Sequence, residues 1–467
     1  MNDIFKNMKI PTKILFSSKQ KGFSSLLFIV LVGLSLTVLT VGYMSSMRNF
    51  QSSAMTAHAQ TQAQMRAMIG YQALSKFLKE QADTTFANVA KIENGSISDG
   101  TTPIQFKKVY CGTNQYCFDI TGKSGGATSI LRSQFVITEE LESKSQTGSV
   151  FAGGLRVNKL EDLSASGVTL EVSGGIINKN NNQTYDASAL SNAGITVVAY
   201  TPKSFVRPED LRKDANYIFT LENGNAKCMK NNFFDTTENK QIKVEKAITC
   251  PMAVTRQSDS WIVTANSEIT GVLWFDGNVI VNLSKTTDFI NTVISTQKIK
   301  TELLDESQDA IYNAYAPHHY YITATEEQKT ARAQKICSTN YPLQYCQAAG
   351  QLKSDSLMAQ SPATISNILF LSQSLELAAG KEKQHNIVVN YYGNLIANGT
   401  SGGTGSPSGK FTGTGVLNIR GNVMVVGEAD MTEMLGDFSM KLTNAQAAGN
   451  VIPFYKKTFG IGGIRYM

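Results

Sequence analysis

The sequence GVLWFDGNVIV at residues 271–281 is repeated with few changes as GVLNIRGNVMV at residues 415–425. Seven positions are identical, and a shorter copy, YYGNLIA, occupies residues 391–397. Each copy has an apolar run, a Gly-Asn pair and a second apolar run. Asparagine tolerates the left-handed backbone of a tight corner, and stacked asparagines can hydrogen-bond to one another. The repeat therefore predicts strands joined by corners and stacked in successive coils.

Short apolar runs of the same kind continue upstream of the repeat. SVFAGGLRV, GVTLEVSGGII and GITVVAY lie between residues 149 and 200, separated by Gly, Asn and Ser. The pattern predicts a parallel β-solenoid-like head over residues 151–445. A β-sandwich is the alternative, because the copies are few and irregularly spaced. A smaller β-rich region is predicted over 84–150, with a hairpin at 107–120, and a C-terminal segment over 446–467.

Two segments interrupt the predicted solenoid. They are residues 203–257 and residues 303–365, the second of which contains the helical pattern ATEEQKTARAQKICS. We expect them to lie on one face, which in solenoids is often the binding face. Residues 398–410 form a Gly/Ser-rich loop that lacks the GK[ST] ending of a phosphate-binding loop.

The six cysteines fall into three neighbour pairs. They are Cys111, Cys117, Cys228, Cys250, Cys337 and Cys346. No pair has the CxxC spacing of zinc or redox sites. Sequence alone does not fix the connectivity of six cysteines, but neighbour pairing is the simplest arrangement. We therefore predict three structural disulfides and an oxidising compartment. Six free thiols in a cytosolic protein is the alternative.

The N-terminal part of the chain predicts one long helix over residues 23–83. Residues 23–47 carry no charge, and as a helix they span about 38 Å at ~1.5 Å per residue, enough to cross a bilayer. Beyond Arg48, apolar residues recur at helical spacing in two neighbouring rows. The rows are Met65, Ile69, Ala73 and Phe77, and Ala67, Tyr71, Leu74 and Leu78. We expect the second half of the helix to pack on the head, with the Met and Tyr side chains in the core.

Positive charge is concentrated at the N-terminus. Residues 1–22 hold five lysines against one aspartate and supply four of the six net positive charges. The rest of the chain is nearly neutral, so we predict no specific nucleic-acid binding, and direct DNA capture is disfavoured. The lysines are typical of a segment that stays on the cytoplasmic side of a membrane.

The junction KQKGFSSLLFIV, residues 19–30, resembles the class III signal peptide of type IV prepilins. In that family a prepilin peptidase cleaves after the glycine. The resemblance implies cleavage between Gly22 and Phe23, with N-methylation of Phe23. The family usually has glutamate at the fifth mature position, where this chain has Leu27. The same departure is a feature of PilX-type minor pilins and of tip pseudopilins of type II secretion, and SSMRNFQSSA (45–54) also resembles the PilX type.

The resemblance to PilX-like minor pilins implies a role in assembly. The apolar helix would prime the type IV pilus, and the subunit would sit at or near the fibre tip, supporting a tip adhesin or surface contact. The implied partners are other minor pilins, the major pilin, a PilY-type adhesin and the prepilin peptidase. The implied location is the inner membrane with the head in the periplasm, then the extracellular pilus, with roles in cell adhesion and twitching motility. The alternatives are a type II secretion tip pseudopilin and a membrane-anchored β-helix protein that binds or cleaves glycans.

The sequence offers little sign of catalysis, and we predict neither an enzyme nor a required cofactor. No GxSxG or HExxH motif is present. His58 has no partner at metal-ligand spacing, and His318 and His319 in YAPHHYY are predicted to be surface or packing residues. Asp276 is predicted to be a corner residue. The segment INKNNNQTYD could bind calcium through carbonyl groups and Asp186, although it lacks the EF-hand pattern.

Overall fold

A computed structural model shows the chain as two compact units. It describes residues 23–80, 92–98, 102–112, 115–146, 148–165, 167–201, 205–265, 269–353, 365, 367–381, 386–398, 409–426, 431–444 and 451–467. The first unit contains the described residues up to 80, between 92 and 136, and from 460 to 467. The second contains those from 137 to 459.

The first unit contains one long helix and a five-stranded sheet, two of whose strands extend past the unit's boundaries at residues 136 and 460. The helix is α1 (Phe23–Glu80). The sheet has the order β1-β2-β3-β4-β35, with β1 (Asn94–Ile97), β2 (Ile104–Val109), β3 (Gln115–Ser124), β4 (Ala127–Ser145) and β35 (Val451–Tyr466). Strands β1 to β4 pair antiparallel. The predicted hairpin is confirmed, since Val109 pairs with Cys117 and Cys117 is bonded to Cys111.

The second unit is a parallel β-solenoid with three faces, so the predicted fold class is confirmed. Face 1 consists of β5 (Gly148–Phe151), β8 (Thr169–Val172), β10 (Thr196–Ala199), β11 (Tyr217–Glu222), β18 (Gly271–Phe275), β20 (Phe289–Ser295), β26 (Ile368–Ser372), β29 (Asn394–Ala397) and β32 (Val423–Val425). Face 2 consists of β6 (Leu155–Val157), β9 (Ile176–Asn178), β17 (Ser260–Thr264), β19 (Asn278–Leu283), β21 (Lys298–Leu303), β27 (Ser374–Ala379), β30 (Gly409–Gly413) and β33 (Thr432–Leu435). Face 3 consists of β7 (Leu163–Ser164), β22 (Ile311–Tyr315), β28 (Val388–Tyr392), β31 (Val416–Arg420) and β34 (Ser439–Thr443), together with the start of β20.

The remaining elements lie in the connections between coils. The helices are α2 (Ala187–Asn192), α3 (Pro317–Ile322), α4 (Glu326–Ile336) and the 3₁₀ turns Leu160–Asp162 and Pro208–Asp214. The strands are β12 (Asn225–Lys230), β13 (Phe233–Asp235), β14 (Lys240–Ile242), β15 (Lys246–Ile248), β16 (Val254–Gln257), β23 (Tyr341–Pro342), β24 (Cys346–Ala348) and β25 (Gln351–Leu352).

The coils do not stack in the order of the sequence. The first coil, β5-β6-β7, pairs on one side with the last coil, β32-β33-β34. On its other side it pairs with β8 and β9. After β10 the chain passes to the far end of the stack, where β11 begins, and then winds back coil by coil until it reaches the first coil. Both connections to the rest of the chain therefore leave from neighbouring coils inside the stack.

The sequence repeat marks two different corners of the solenoid. The copy at 271–281 joins face 1 to face 2, whereas the copies at 391–397 and 415–425 join face 3 to face 1. Only the last two stack on each other: the Asn422 backbone N–H and side-chain amide donate to Asn394 Oδ1 at 3.1 and 3.3 Å. The Gly-Asn pair is thus a local corner motif, and the number of its copies is not the number of coils.

From β11 to β5 along the stack, face 1 is buried on both sides. Its outward centre carries a continuous apolar column, in register from strand to strand: Ile218, Trp274, Ile294, Leu371, Ile396, Met424 and Val150. All seven are buried. The cover comes from the connection 205–216, from the insertion after β22 and from β35, through Phe205, Val206, Leu211, Ala215, Tyr320, Ile336, Tyr345, Ile365, Ile452 and Phe454. Strands apolar on both sides are typical of covered parallel sheets.

The outward centres of faces 2 and 3 are only partly buried. The outward centre of face 2 has alternating charges between isoleucines: Ile262, Ile280, Lys300, Glu376, Lys410, Glu433, Arg156 and Ile177. The outward centre of face 3 is an amide ladder. Asn418 donates to Asn390 and Asn390 to Asn313, each at 2.9 Å, and Asn313 donates to Asp288 at 3.1 Å. The expected hydrogen bonding of stacked asparagines therefore occurs.

The two predicted insertions form one structure on face 1. Strand β13 of the first pairs with β23 of the second, and the rings of Phe234 and Tyr341 stack with centroids 5.1 Å apart. Their boundaries differ from the sequence prediction. Within 203–257, β11 is a face 1 strand, and within 303–365, β22 is a face 3 strand. Both strands lack the Gly-Asn corner that marks the repeats. The predicted C-terminal segment, 446–467, contains β35, whose last residues join the sheet of the first unit.

Candidate functional site

The first half of α1 is an exposed apolar rod. Residues 25–58 of this helix are exposed within the first unit. In the described part of the chain, α1 is the one helix long and apolar enough to cross a membrane. Its first turn contains no acidic residue. A helix N-terminus carries partial positive charge, so this end of α1 has no carboxylate of its own to offset that charge.

The predicted processing residues lie at the start of this rod. Gly22 lies outside the described residues, and Phe23 is the first residue of α1. Leu27 follows one turn later, with 60% of its surface exposed. Leu27 is therefore accessible on the surface of the rod.

The second half of α1 is seated on the sheet of the first unit. Its buried residues are small at first and larger toward the end: Ala59, Ala63, Ala67, Tyr71, Leu74 and Leu78. Tyr71 stacks on Phe135 with ring centroids 6.1 Å apart. At Gly122 of β3, an added Cβ would lie 2.2 Å from the Ala63 carbonyl oxygen. The helix therefore rests directly on the strand backbone, an approach that only glycine permits.

The two apolar rows of α1 differ in burial. Tyr71 is buried, as expected, but the core prediction for Met65 is wrong: Met65 is 61% exposed. Ile69 is 45% exposed. The row that contains Ala67 packs on the sheet because its small side chains let the backbone of α1 approach Gly122. The longer side chains of the Met65 row do not allow this approach.

Polar contacts also hold the seated half of the helix in place. Arg66 donates to the Lys123 carbonyl oxygen at 2.8 Å and also to the carbonyl of Thr102. Ser124 donates to Gln62 at 2.7 Å. Because these partners come from the end of β3 and from the segment before β2, they fix the direction in which the exposed rod leaves the sheet.

His58, His318 and His319 are not part of any metal-binding cluster in the described part of the chain. Among the described residues, no group of three or more His, Cys, Asp or Glu side chains could hold a metal ion. His58 is exposed and contacts Gln62 at 3.2 Å. His318 and His319 are both buried in α3, and His318 Nδ1 lies 2.6 Å from Asn367 Oδ1. Burial, and to a smaller extent the neighbouring His318, lower the pKa of His319 to about 3.

The two singled-out aspartates have structural roles. Asp276 occupies the corner between β18 and β19, where its carbonyl accepts from Trp261 Nε1 at 2.9 Å. Asp186 is the N-cap of α2 and accepts from the Ala189 N–H at 2.7 Å. This capping bond engages one oxygen of the carboxylate considered for calcium.

The structure joins the cysteines as neighbour pairs. The disulfides are Cys111–Cys117, Cys228–Cys250 and Cys337–Cys346. The first closes the β2–β3 hairpin, and the other two lie in the two joined insertions. Each closes a short loop and stabilises by ~2–4 kcal/mol in the chain-entropy account.

Sequence analysis missed the residues that seat the helix. Gly70, Gly122 and Gly125 allow α1 and the sheet to meet, and an added Cβ at Gly70 would lie 2.6 Å from Ile104. A glycine inside a helix is unfavourable unless packing requires it. Gly70, three residues after Ala67, was therefore the available signal.

Comparison with known proteins adds little. No protein-family model matches the chain, and no curated protein matches it. Among solved structures, the chain is similar to the competence-associated pilin ComZ from Thermus thermophilus. The match has a TM-score of 0.24 and 9% sequence identity, and it covers 88% of this chain and 97% of that one. A similarity this small carries no argument about fold or function.

Proposed function

We propose that this chain is a PilX-like minor pilin of a type IV pilus. The observation that carries the proposal is the division of α1 into an exposed apolar rod and a seated half on an antiparallel sheet. The rod follows a basic, glycine-ended leader in the sequence. Such a helix anchors a subunit in a membrane before assembly and packs among other helices in a fibre.

Leu27 supports a position at or near the fibre tip. In a filament core, an unpaired N-terminal ammonium costs several kcal/mol, and a glutamate at this position would compensate the ammonium of the preceding subunit. A subunit with Leu27 cannot do this. The first subunit has no predecessor, so it needs no such glutamate, and the same subunit would prime assembly.

The first test concerns the N-terminus. Mass spectrometry of pili sheared from cells should find N-methylated Phe23 at low abundance beside the major pilin. A Gly22→Leu variant should keep its leader and stay in the membrane. Recovery of wild-type protein with Met1 intact, and only in membranes, would show that the leader is a plain anchor and would refute the proposal.

The second test concerns position in the fibre. Leu27→Glu should leave assembly unchanged or reduce it, because no predecessor offers an ammonium to pair. Leu26→Glu is the matched control, since Leu26 is the exposed residue directly before Leu27 and receives the same charge. A large rise in incorporation along the shaft with Leu27→Glu alone would contradict tip placement.

The proposed partners follow from this role. They are the other minor pilins, the major pilin, the prepilin peptidase and a PilY-type adhesin held by the solenoid. The proposed route is the inner membrane with the solenoid in the periplasm, then the extracellular fibre, with adhesion and twitching motility as the outcome. We propose that the solenoid acts by binding and not by catalysis. Glycan turnover by the purified protein would refute that part.

Leu27 equally suits a tip pseudopilin of type II secretion. The two roles differ in what their loss abolishes. Deletion of the gene should remove surface pili and twitching if the protein is a minor pilin. Normal pili with failed enzyme secretion would assign it to the secretion system instead.

A further inference from the structure

The two ends of the solenoid are finished differently. At the far end, β11 pairs antiparallel with β12, β12 with β15, and β16 with β17. The outermost strands there, β15 and β16, carry Lys246 and Arg256. Charged residues on outer strands and antiparallel caps are ways in which proteins prevent further strand pairing.

The opposite end, which we call the β10 end, lacks these protections. In the described part of the chain, β10 pairs with β8 alone. Its sequence, TVVA, contains no charge and no proline. Val198 is 42% exposed and continues the outward column of face 1 beyond Glu171, while Val197 packs against the core. An uncharged, β-branched outer strand favours strand addition.

The segment that contains β10 is also unusually free of charge. Residues 180–201 contain a single charged residue, Asp186, whose carboxylate caps α2. Most of these residues are exposed. The cores of protein interfaces are typically depleted of charged residues. It also means that two copies of this surface meet without repulsion between like charges.

Among the described residues, the other two faces offer no comparable edge at this end. On face 2, β9 is covered by the antiparallel bridge between Ile177 and Thr184. On face 3, the outermost strand, β7, has two residues. The accessible row of backbone donors and acceptors at this end therefore belongs to β10.

We propose that β10 pairs antiparallel with β10 of a second copy of this chain, about a two-fold axis. Side chains alternate between the two faces of a strand, so each stays on its own face only when odd-numbered residues pair with odd-numbered ones and even with even. Val197 then lies opposite the partner's Val197, and Thr196 lies opposite the partner's Val198. The interface is self-complementary, as a two-fold dimer requires. It rests on the solenoid alone and does not depend on the proposed pilin function.

The first test measures association of the full chain in detergent micelles by sedimentation velocity over a concentration series. Wild type should form dimers. Val198→Lys should weaken dimerisation about tenfold or more, because it places a charge at the strand pair. Ile311→Lys is the matched control, since Ile311 is 53% exposed on the outward side of face 3. It should leave the dimer unchanged, and both variants should keep the wild-type melting temperature at a concentration where all three proteins are monomeric.

A second test fixes the register. Thr196→Cys and Val198→Cys proteins, oxidised as a mixture, should form disulfide-linked heterodimers, because directly opposed residues lie within disulfide reach. Each protein oxidised alone should not. A wild type that is monomeric at every concentration, a dimer retained by Val198→Lys, or a mixture that fails to cross-link would overturn the proposal. A dimer held together by α1 would persist in Val198→Lys and so would overturn the proposal.

Discussion

The three faces of the solenoid share one backbone arrangement but carry different side chains at their outer centres. Face 1 has an apolar column under a cover, face 2 has alternating charges in water, and face 3 has an amide ladder. Because parallel strands in register place equivalent positions in one column, the outward chemistry of a face is decided column by column. Only the apolar column requires a cover, and both insertions and the connection 205–216 lie on it.

The largest difference between faces should appear when a carboxylate enters each column. Ile396→Asp places an unpaired charge under the cover of face 1 and should cost at least ~4 kcal/mol of unfolding free energy. Val388→Asp, on the outward side of face 3, should cost less than ~1 kcal/mol. Thermal and denaturant unfolding of the full chain measure both. Equal losses would show that face 1 is not covered in solution.

The corners of the solenoid should differ in the same way. At Gly421, an added Cβ would lie 2.2 Å from the Gly393 carbonyl oxygen. Gly421→Ala should therefore cost about 3 kcal/mol, because the neighbouring backbone must move. At Gly277 the backbone is left-handed, with φ of 106°, but an added Cβ meets nothing within 4 Å. Gly277→Ala should cost only ~1–2 kcal/mol, the strain of that conformation.

If Gly277→Ala proved the more damaging of the two, the two corners would not differ as described. Denaturant unfolding midpoints of the two variants, compared at equal m-values, measure the two costs. The comparison is matched because both glycines precede an asparagine in the same repeated motif.

The cover of face 1 should also confer acid sensitivity. His319 in α3 has a pKa of about 3 in the folded protein, below the ordinary 6.5, because it is buried. The unfolded chain therefore binds a proton first as the pH falls. Stability should decline from about pH 6.5 toward pH 3, by up to ~1.4 kcal/mol per pH unit.

His319→Leu isolates this contribution from that of the carboxylates. The difference in unfolding free energy between wild type and variant should change with pH below 6.5 and be constant above it. A constant difference from pH 7 to pH 4 would show that His319 is not desolvated by the cover.

The smallest effect is expected on face 2. Arg156 and Glu433 form an ion pair of 3.3 Å between the first and last coils, and both are about 30% exposed. A double-mutant cycle with Arg156→Gln and Glu433→Gln should give a coupling of ~0.2–1 kcal/mol, which falls with added salt. A coupling of several kcal/mol, insensitive to salt, would place face 2 among the buried faces.

Much of this arrangement could be predicted, but not its order. The continuous apolar runs of β18 and β26 indicate strands covered on both sides, and the alternation in β21 and β27 indicates strands covered on one side. The Gly-Asn corners predict stacked coils. They do not identify the corner, because Gly277 and Gly421 satisfy the same local geometry at different places. The pairing of β5 with β32 has no local signal, since it joins segments distant in sequence.

The candidate site shows the same limit. The absence of charge over residues 23–47 is enough to predict an apolar helix. The face of its second half that packs on the sheet could not be chosen from periodicity, since both rows fit a helix equally well. The choice depended on Gly122, a residue in another element that removes a steric barrier.

The stacking of the first coil on the last has a consequence for folding. Val423 donates to Ser149 across a sequence separation of 274 residues. At ~10 residues per second, the first coil waits about half a minute after synthesis before its neighbour exists. Contacts of such long range also slow the folding search. Until then the β5 edge is an open template, so a chaperone that shields nascent strands would be needed most between the emergence of residue 164 and that of residue 443.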